Sequence, residues 1–361
     1  MKKFLSLLLA AAVTMSMAGC GGSSESTATE GGSESASAES GGELNIYVWT
    51  EYIPESVIDK FEDETGIKVN MSTFSSNEDM LAKVKSEEEG AFDIIQPSDY
   101  MVEQVISQGL VQELDQSKIT IMDNFDEGYL NPSYDPGNKY SLPYLGGVGG
   151  IGVNTDKITD TIDSYEQLFD SKYANELVVL DDYRALIGMT SSTLGYDFNE
   201  TDTAKLDEIK AKLLTLKPNI KLYDSDSPKS ALISGDCNLA FCWSAEIAMA
   251  NAENPAIEIA FPKEGPYLFF DNWCITSGAK NTENAYKFLN FINQPENMQM
   301  VLEEFPYICA NKAAVDLMGE EYASNSAKNP PAEVIASGHY VSNLDADTLA
   351  IYDQMWTELK K

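Results

Sequence analysis

The chain has 361 residues, 43% of them hydrophobic, and carries 24 basic against 58 acidic residues for a formal net charge of −34. That hydrophobic fraction is ordinary for chains with real cores, which argues against wholesale disorder. The charge argues against nucleic-acid binding, because a polyanion repels phosphate backbones; it attracts cationic ligands, and it serves solubility equally well.

Lys2 and Lys3 precede the apolar run Phe4 to Val13, and the stretch closes on Met17-Ala18-Gly19-Cys20. A charged start, an apolar middle and a small-residue end describe a secretory signal over residues 1–19. Its end resembles the bacterial lipobox, in which the cysteine becomes the lipidated first residue, so Cys20 is the expected lipidation site. A transmembrane helix needs about 20 apolar residues, and this run is shorter. Residues 20–42 after the cleavage point contain no large apolar side chain and read as a flexible acidic tether. The expected location is outside the cytoplasmic membrane, anchored by lipid at the cell surface or in a periplasm.

About 320 residues remain, enough for two domains. Leu44 to Trp49 reads as a strand. Pro54 then sits where a first-turn proline belongs, Val57, Ile58 and Phe61 share a helical face, and Gly66 is the stop. A second strand follows over residues 67–74. Asn77 is placed to cap the next helix, with Met80, Leu81 and Val84 inward and Gly90 at its end. The third strand is Phe92 to Gln96, and a third helix carries Met101, Val102, Val105 and Ile106 before Gly109. Strands alternating with helices predict an α/β fold with a parallel sheet covered on both faces. In such sheets ligands lie outside the carboxyl ends of the strands. Trp49, Glu51 and Tyr52 follow the first strand and Ser98, Asp99 and Tyr100 the third, so both groups fall at the edge where a ligand belongs.

The segments YVWTEYIPESVIDKFEDETGIKV, FDIIQPSDYMV, SLPYLGGVGGIGVNTDKI, LDDYR, NLAFCW and FPKEGPYLFFDNW, in this order and spacing, resemble the spermidine/putrescine-binding proteins of bacterial ABC importers. The similarity runs over essentially the whole chain after the tether. It implies a type II periplasmic-binding fold, two α/β lobes around a ligand cleft joined by crossover strands. The expected lobes are residues 43–145 with 270–305, and 146–269 with 306–361. By resemblance Trp49, Tyr52, Ser98, Tyr100, Asp182, Ser225, Trp243, Asp271 and Tyr307 line the cleft. Phe269, where the family carries Trp, and Glu51 complete the ligand-binding set. The resemblance also implies a polyamine ligand, a membrane permease with its own ATPase as partner, and a monomer.

The chemistry is reasonable without the family. A protonated diamine needs carboxylates for its ends and aromatic faces for its methylenes, a cation over such a face gaining about 0.5 to 2 kcal/mol. Asp271 has its own case, since a carboxylate in the apolar run PYLFFDNWCI needs a partner. Two departures bear on the ligand. The family's acid three residues beyond Asp182 is here Ala185, and its late Gln has no equivalent near Val341. One amine-binding carboxylate is missing, with Glu51, Asp99 and Glu246 as substitutes.

Other chemistries find little support. Gly147, Gly149 and Gly152 match GxGxxG in form but run into VNTDKI and open no helix, so they read as a lobe crossover. Asp224 and Asp226 resemble a calcium loop, except that Pro228 and Gly235 stand where ligands are required. No metal site, cofactor or catalytic residue is expected: His339 is the single histidine, and the cysteines beyond Cys20, namely Cys237, Cys242, Cys274 and Cys309, form no CxxC. Those four are free thiols or disulfides. An oligosaccharide-binding protein of the same fold and an extracellular glycan-processing enzyme are the rival functions.

Overall fold

The alternating run at 43–49 forms β1 (Glu43–Trp49), and it is followed by α1 (Glu55–Thr65), β2 (Lys68–Phe74), α2 (Asn77–Ser86), β3 (Ile94–Ile95) and α3 (Asp99–Ser107). The long β4 (Ser141–Asn154) leads to β5 (Leu177–Val179), α4 (Tyr183–Thr193), α5 (Thr203–Leu216), β6 (Ile220–Tyr223) and α6 (Lys229–Ser234). Then come β7 (Leu239–Trp243), α7 (Ser244–Glu253), β8 (Ile257–Ala260) and β9 (Tyr267–Ile275). The last elements are α8 (Thr282–Ile292), α9 (Pro295–Glu304), β10 (Ile308–Cys309), α10 (Lys312–Ser324), α11 (Ala332–Ser337), β11 (His339–Tyr340) and α12 (Ala346–Lys360). The structure is a computed structural model describing residues 41–361. The signal segment 1–19, Cys20 and the tether up to residue 40 lie outside the described residues. No helix among the described residues is long and apolar enough to cross a membrane.

Local signals explain α1. Pro54 is its N-cap, Val57, Ile58 and Phe61 are buried, and Gly66 ends it in the left-handed region at φ 67, its N–H donating to Glu62 O. Phe61 packs edge-on against Phe288 and Phe291 of α8, centroids 5.2 and 5.1 Å away. Burying such a side chain is worth about 1.5–3 kcal/mol. At α2 the cap is Ser76, whose hydroxyl accepts from Asp79 N, and Asn77 is the first helical residue. Gly90 and Gly109, expected as stops, lie beyond the C-caps Glu87 and Gln108, both at positive φ.

Among the described residues the strands form one sheet in the order β2-β1-β3-β9-β4-β7-β5-β6, with β8 and β10 pairing β4 and β11 pairing β9. It has two parallel halves. β1 runs parallel to β2 and β3, and β5 parallel to β6 and β7. Between them β9 runs antiparallel to β3 and β4, and β4 antiparallel to β9 and β7, so the sheet is mixed where the sequence pattern predicts parallel pairing. The lobe boundaries expected at 145/146 and 269/270 fall inside these two strands. Glycine is required there: a Cβ on Gly146 would come within 2.4 Å of the Phe270 ring, and one on Gly147 within 2.8 Å of Phe269. The four cysteines from Cys237 onward are buried free thiols.

Candidate functional site

A cleft of about 570 Å³ opens at the carboxyl ends of both parallel halves. Trp49, Thr50 and Tyr52 reach it from the end of β1, Asn77 and Glu78 from beyond β2, and Ser98 and Tyr100 from beyond β3. Asp181 and Asp182 enter after β5, Asp224 and Ser225 after β6, and Trp243 at the end of β7. Residues two apart on a strand share a face, and so Tyr267, Phe269 and Asp271 enter together from β9, with Tyr307 just before β10. Backbone amides and short loops converge at strand ends, which leaves a crevice for a ligand.

One carboxylate is built into the floor. Asp271, 2% exposed, accepts from Tyr52 Oη at 2.7 Å and from Ser98 Oγ at 2.5 Å. Ser98 is itself held by Asn77, whose amide donates to Ser98 Oγ at 3.0 Å and accepts from Ser98 N at 3.1 Å. Burial pushes the Asp271 carboxyl up to about 7, against the stabilising contribution of Ser98, Tyr52 and Trp49 to its charge. The Trp49 indole N–H is buried and meets no acceptor at hydrogen-bond geometry, as is the Ser225 hydroxyl.

A second acidic pole lies across the cleft. Asp182 caps α4 with Oδ1, accepting from Arg184 N at 2.8 Å and Ala185 N at 3.1 Å, which leaves Oδ2 uncommitted. Burial, then the charge of Glu78, raises it to about 6. Glu78 Oε1 accepts from Tyr100 Oη at 2.9 Å and Tyr183 Oη at 3.4 Å, so this side chain joins residues from both parallel halves. Between the poles runs an aromatic wall. Trp243 and Phe269 are 4.8 Å apart by centroid, Phe269 and Tyr307 6.2 Å, and Tyr307 and Tyr52 5.0 Å. Glu78, Asp79, Asp181, Asp182, Asp224, Asp226, Asp271 and Asp353 all line the cleft, while Lys360 is the single cation among the lining residues and is paired to Asp181. Such a crevice concentrates cations and repels anions.

All the residues assigned to the site by sequence line this cleft except Glu51. Its carboxylate turns away to the Lys229 ammonium. Nor do the other two substitutes reach the cleft: Glu246 is 1% exposed and paired to Lys229, and Asp99 is buried, accepting from Phe270 N at 3.2 Å. Burial raises Asp99 to about 8, with the charge of Asp271 adding to it. Glu78 escaped sequence reasoning. The signal that could have found it is its position in the first turn of the helix that follows a parallel strand.

The chain matches the family model described as bacterial extracellular solute-binding protein over residues 56–331. It is 37% identical over 318 residues to the spermidine/putrescine-binding periplasmic protein of Salmonella typhimurium, covering 88% of this chain and 91% of that one. Among solved structures, a Listeria monocytogenes protein named for spermidine/putrescine ABC transport superposes with a TM-score of 0.85 at 36% identity, covering 88% and 98% of the two chains. A lipoprotein of Treponema pallidum superposes with a TM-score of 0.77 at 26% identity, covering 88% and 99%. The two-lobe periplasmic fold is therefore the fold of this chain. The family is one of binding proteins rather than enzymes, and the chain belongs to it: it is a bacterial extracellular solute-binding protein of the spermidine/putrescine-binding group.

Proposed function

We propose that this protein captures a polyamine, putrescine or spermidine, outside the membrane and delivers it to the permease of an ABC importer. The observation that carries the reading is the cleft itself, a desolvated Asp271 held by two hydroxyls at one pole and Asp182 beside Glu78 at the other. An ammonium at each pole returns the charge that burial suppresses. The connecting methylenes lie along Trp243, Phe269 and Tyr307, and the free Ser225 hydroxyl accepts from a remaining N–H. The names of the Salmonella and Listeria relatives support the same ligand class.

Capture involves closure of two lobes, 43–145 with 270–305 against 146–269 with 306–361, around the ligand. The mature protein is a monomer, and it is tethered through lipid on Cys20; the lipobox-like ending and the lipoprotein among the structural relatives support the tether. The test is isothermal calorimetry with putrescine, cadaverine, spermidine, spermine, betaines and oligosaccharides. Binding of one or more of the polyamines in preference to the rest is expected, and tighter binding of a neutral sugar would overturn the reading.

A further inference from the structure

Lys229 is the first residue of α6, where a cation opposes the helix dipole. Something must compensate it. Its ammonium lies 3.2 Å from both oxygens of Glu246 and is paired as well to Glu51. Glu246 is 1% exposed, Lys229 18% and Glu51 40%, so the cluster runs from the interior to the surface. Glu51 holds a backbone conformation of φ 50, which non-glycine residues adopt at a cost and which persists only where surroundings enforce it.

The cluster adjoins the cleft. Glu51 sits between the lining residues Thr50 and Tyr52, Lys229 lies three residues after the lining Asp226, and Glu246 three after the lining Trp243. Tyr307 of the wall feels both acidic groups: its phenol is raised by burial and then by the charges of Glu246 and Asp271, with Glu51 adding to them. Two carboxylates flanking one ammonium, beside the cleft, repeat the chemistry by which the cleft is proposed to hold a ligand amine.

We infer that Lys229 is the chain's own ammonium, filling the carboxylate pair Glu51 and Glu246 that would otherwise take a further amine of a longer ligand, so that the cleft selects a diamine over a triamine. The inference rests on the polyamine reading above. The further amine of a triamine finds this carboxylate pair already occupied by an ammonium, and like charges brought into contact are a strong source of discrimination.

The experiment is calorimetry of the mature chain with putrescine and with spermidine, for wild type, Lys229→Met and Glu51→Gln. Wild type is expected to bind putrescine at least about tenfold tighter, and Lys229→Met, which keeps the length and removes the charge, to shift the ratio toward spermidine by at least about tenfold. A wild type that prefers spermidine, or a folded Lys229→Met whose ratio stays within about threefold of wild type, overturns the inference while leaving the polyamine reading intact. Binding of neither amine by wild type overturns both. Removing Lys229 leaves Glu246 buried without its partner, so Glu51→Gln decides the matter if that variant does not fold. Putrescine affinity within about threefold of wild type supports a Glu51 occupied by Lys229, and a loss above about thirtyfold shows that Glu51 meets the ligand and overturns the inference.

Discussion

Ser98 and Asp271 are joined twice, by an antiparallel backbone bridge and by a 2.5 Å hydrogen bond from Ser98 Oγ to Asp271 Oδ1. A residue beyond the end of β3 is thereby locked to the middle of β9. Asn77 fixes the direction of this bond, because its amide donates to the Ser98 oxygen and leaves the hydroxyl proton to face the carboxylate.

Asn77→Ala removes that orientation and strands the buried Ser98 N–H, a loss of about 1–3 kcal/mol in stability. Polyamine affinity is expected to fall about three- to tenfold, about 0.7–1.4 kcal/mol. Thermal unfolding and calorimetry on the same sample check both. Asn77→Asp, which still accepts from Ser98 N but cannot donate, should recover stability more than affinity.

The pH dependence follows from carboxyls whose affinities for the proton are raised in the empty cleft, Asp271 to about 7 and Asp182 to about 6. In each the folded empty protein favours the protonated form over the unfolded chain. Their contribution to stability is therefore complete below the ordinary carboxylate range of about 4 and lost as pH rises through about 6 to 7. A bound ammonium favours the ionised form, so affinity runs the opposite way, rising with pH through the same window. Calorimetry at pH 5 and pH 8 should show putrescine binding at least about tenfold tighter at the higher value, since under a tenth of Asp271 is ionised at the lower one. A flat profile would mean that neither carboxylate meets the amine.

Much of this was legible before the structure because the signals are local. Pro54, the spacing of Val57, Ile58 and Phe61, and Gly66 define α1 from within a dozen residues, and Asp271 announced itself as an acid inside an apolar strand. What was not legible depends on distant partners. Asparagine is a good N-cap, yet Ser76 takes that role and Asn77 is drawn to Ser98, 21 residues on. Glu51 stands between two residues that line the cleft and was expected to supply a missing carboxylate, but its side chain pairs with a lysine 178 residues away. The mixed pairing of β4 and β9 likewise reflects long-range assembly, since their period-two pattern is the same in either direction.

Glu78→Gln tests the second pole. The amide still accepts from Tyr100 and Tyr183, so the local hydrogen bonds survive while one charge beside Asp182 disappears. Two effects follow with opposite signs: Asp182 ionises more easily without its neighbour, and the ligand loses one carboxylate. The second is the larger if the amine is shared between them, and a loss of about five- to thirtyfold, about 1–2 kcal/mol, is expected. Unchanged affinity with a lowered Asp182 pKa by NMR would assign the amine to Asp182 alone.

Cys20→Ala should leave the exported protein without lipid, released or retained as precursor, whereas wild type partitions into detergent. Stable attachment takes more than one acyl chain. Equal release of both forms into the medium would show that the tether carries no anchor.

Asp271→Asn bears most directly on the amine reading. The amide oxygen can still accept from Ser98 or Tyr52, so shape and part of the network persist, but the amide N–H₂ then confronts a hydroxyl that was donating. An ammonium in the cleft would lose its charged partner in a desolvated site, and truncating one member of such a pair typically costs about 2–5 kcal/mol. The expected loss of polyamine affinity is at least about thirtyfold, about 2 kcal/mol. Trp243→Ala would weaken binding as well, yet sugars and amines both lie against aromatic faces, so that variant does not tell them apart. The charge does. A neutral sugar keeps its hydrogen bonds to the amide, and a best ligand whose affinity stays within about threefold in Asp271→Asn would remove this residue from amine recognition.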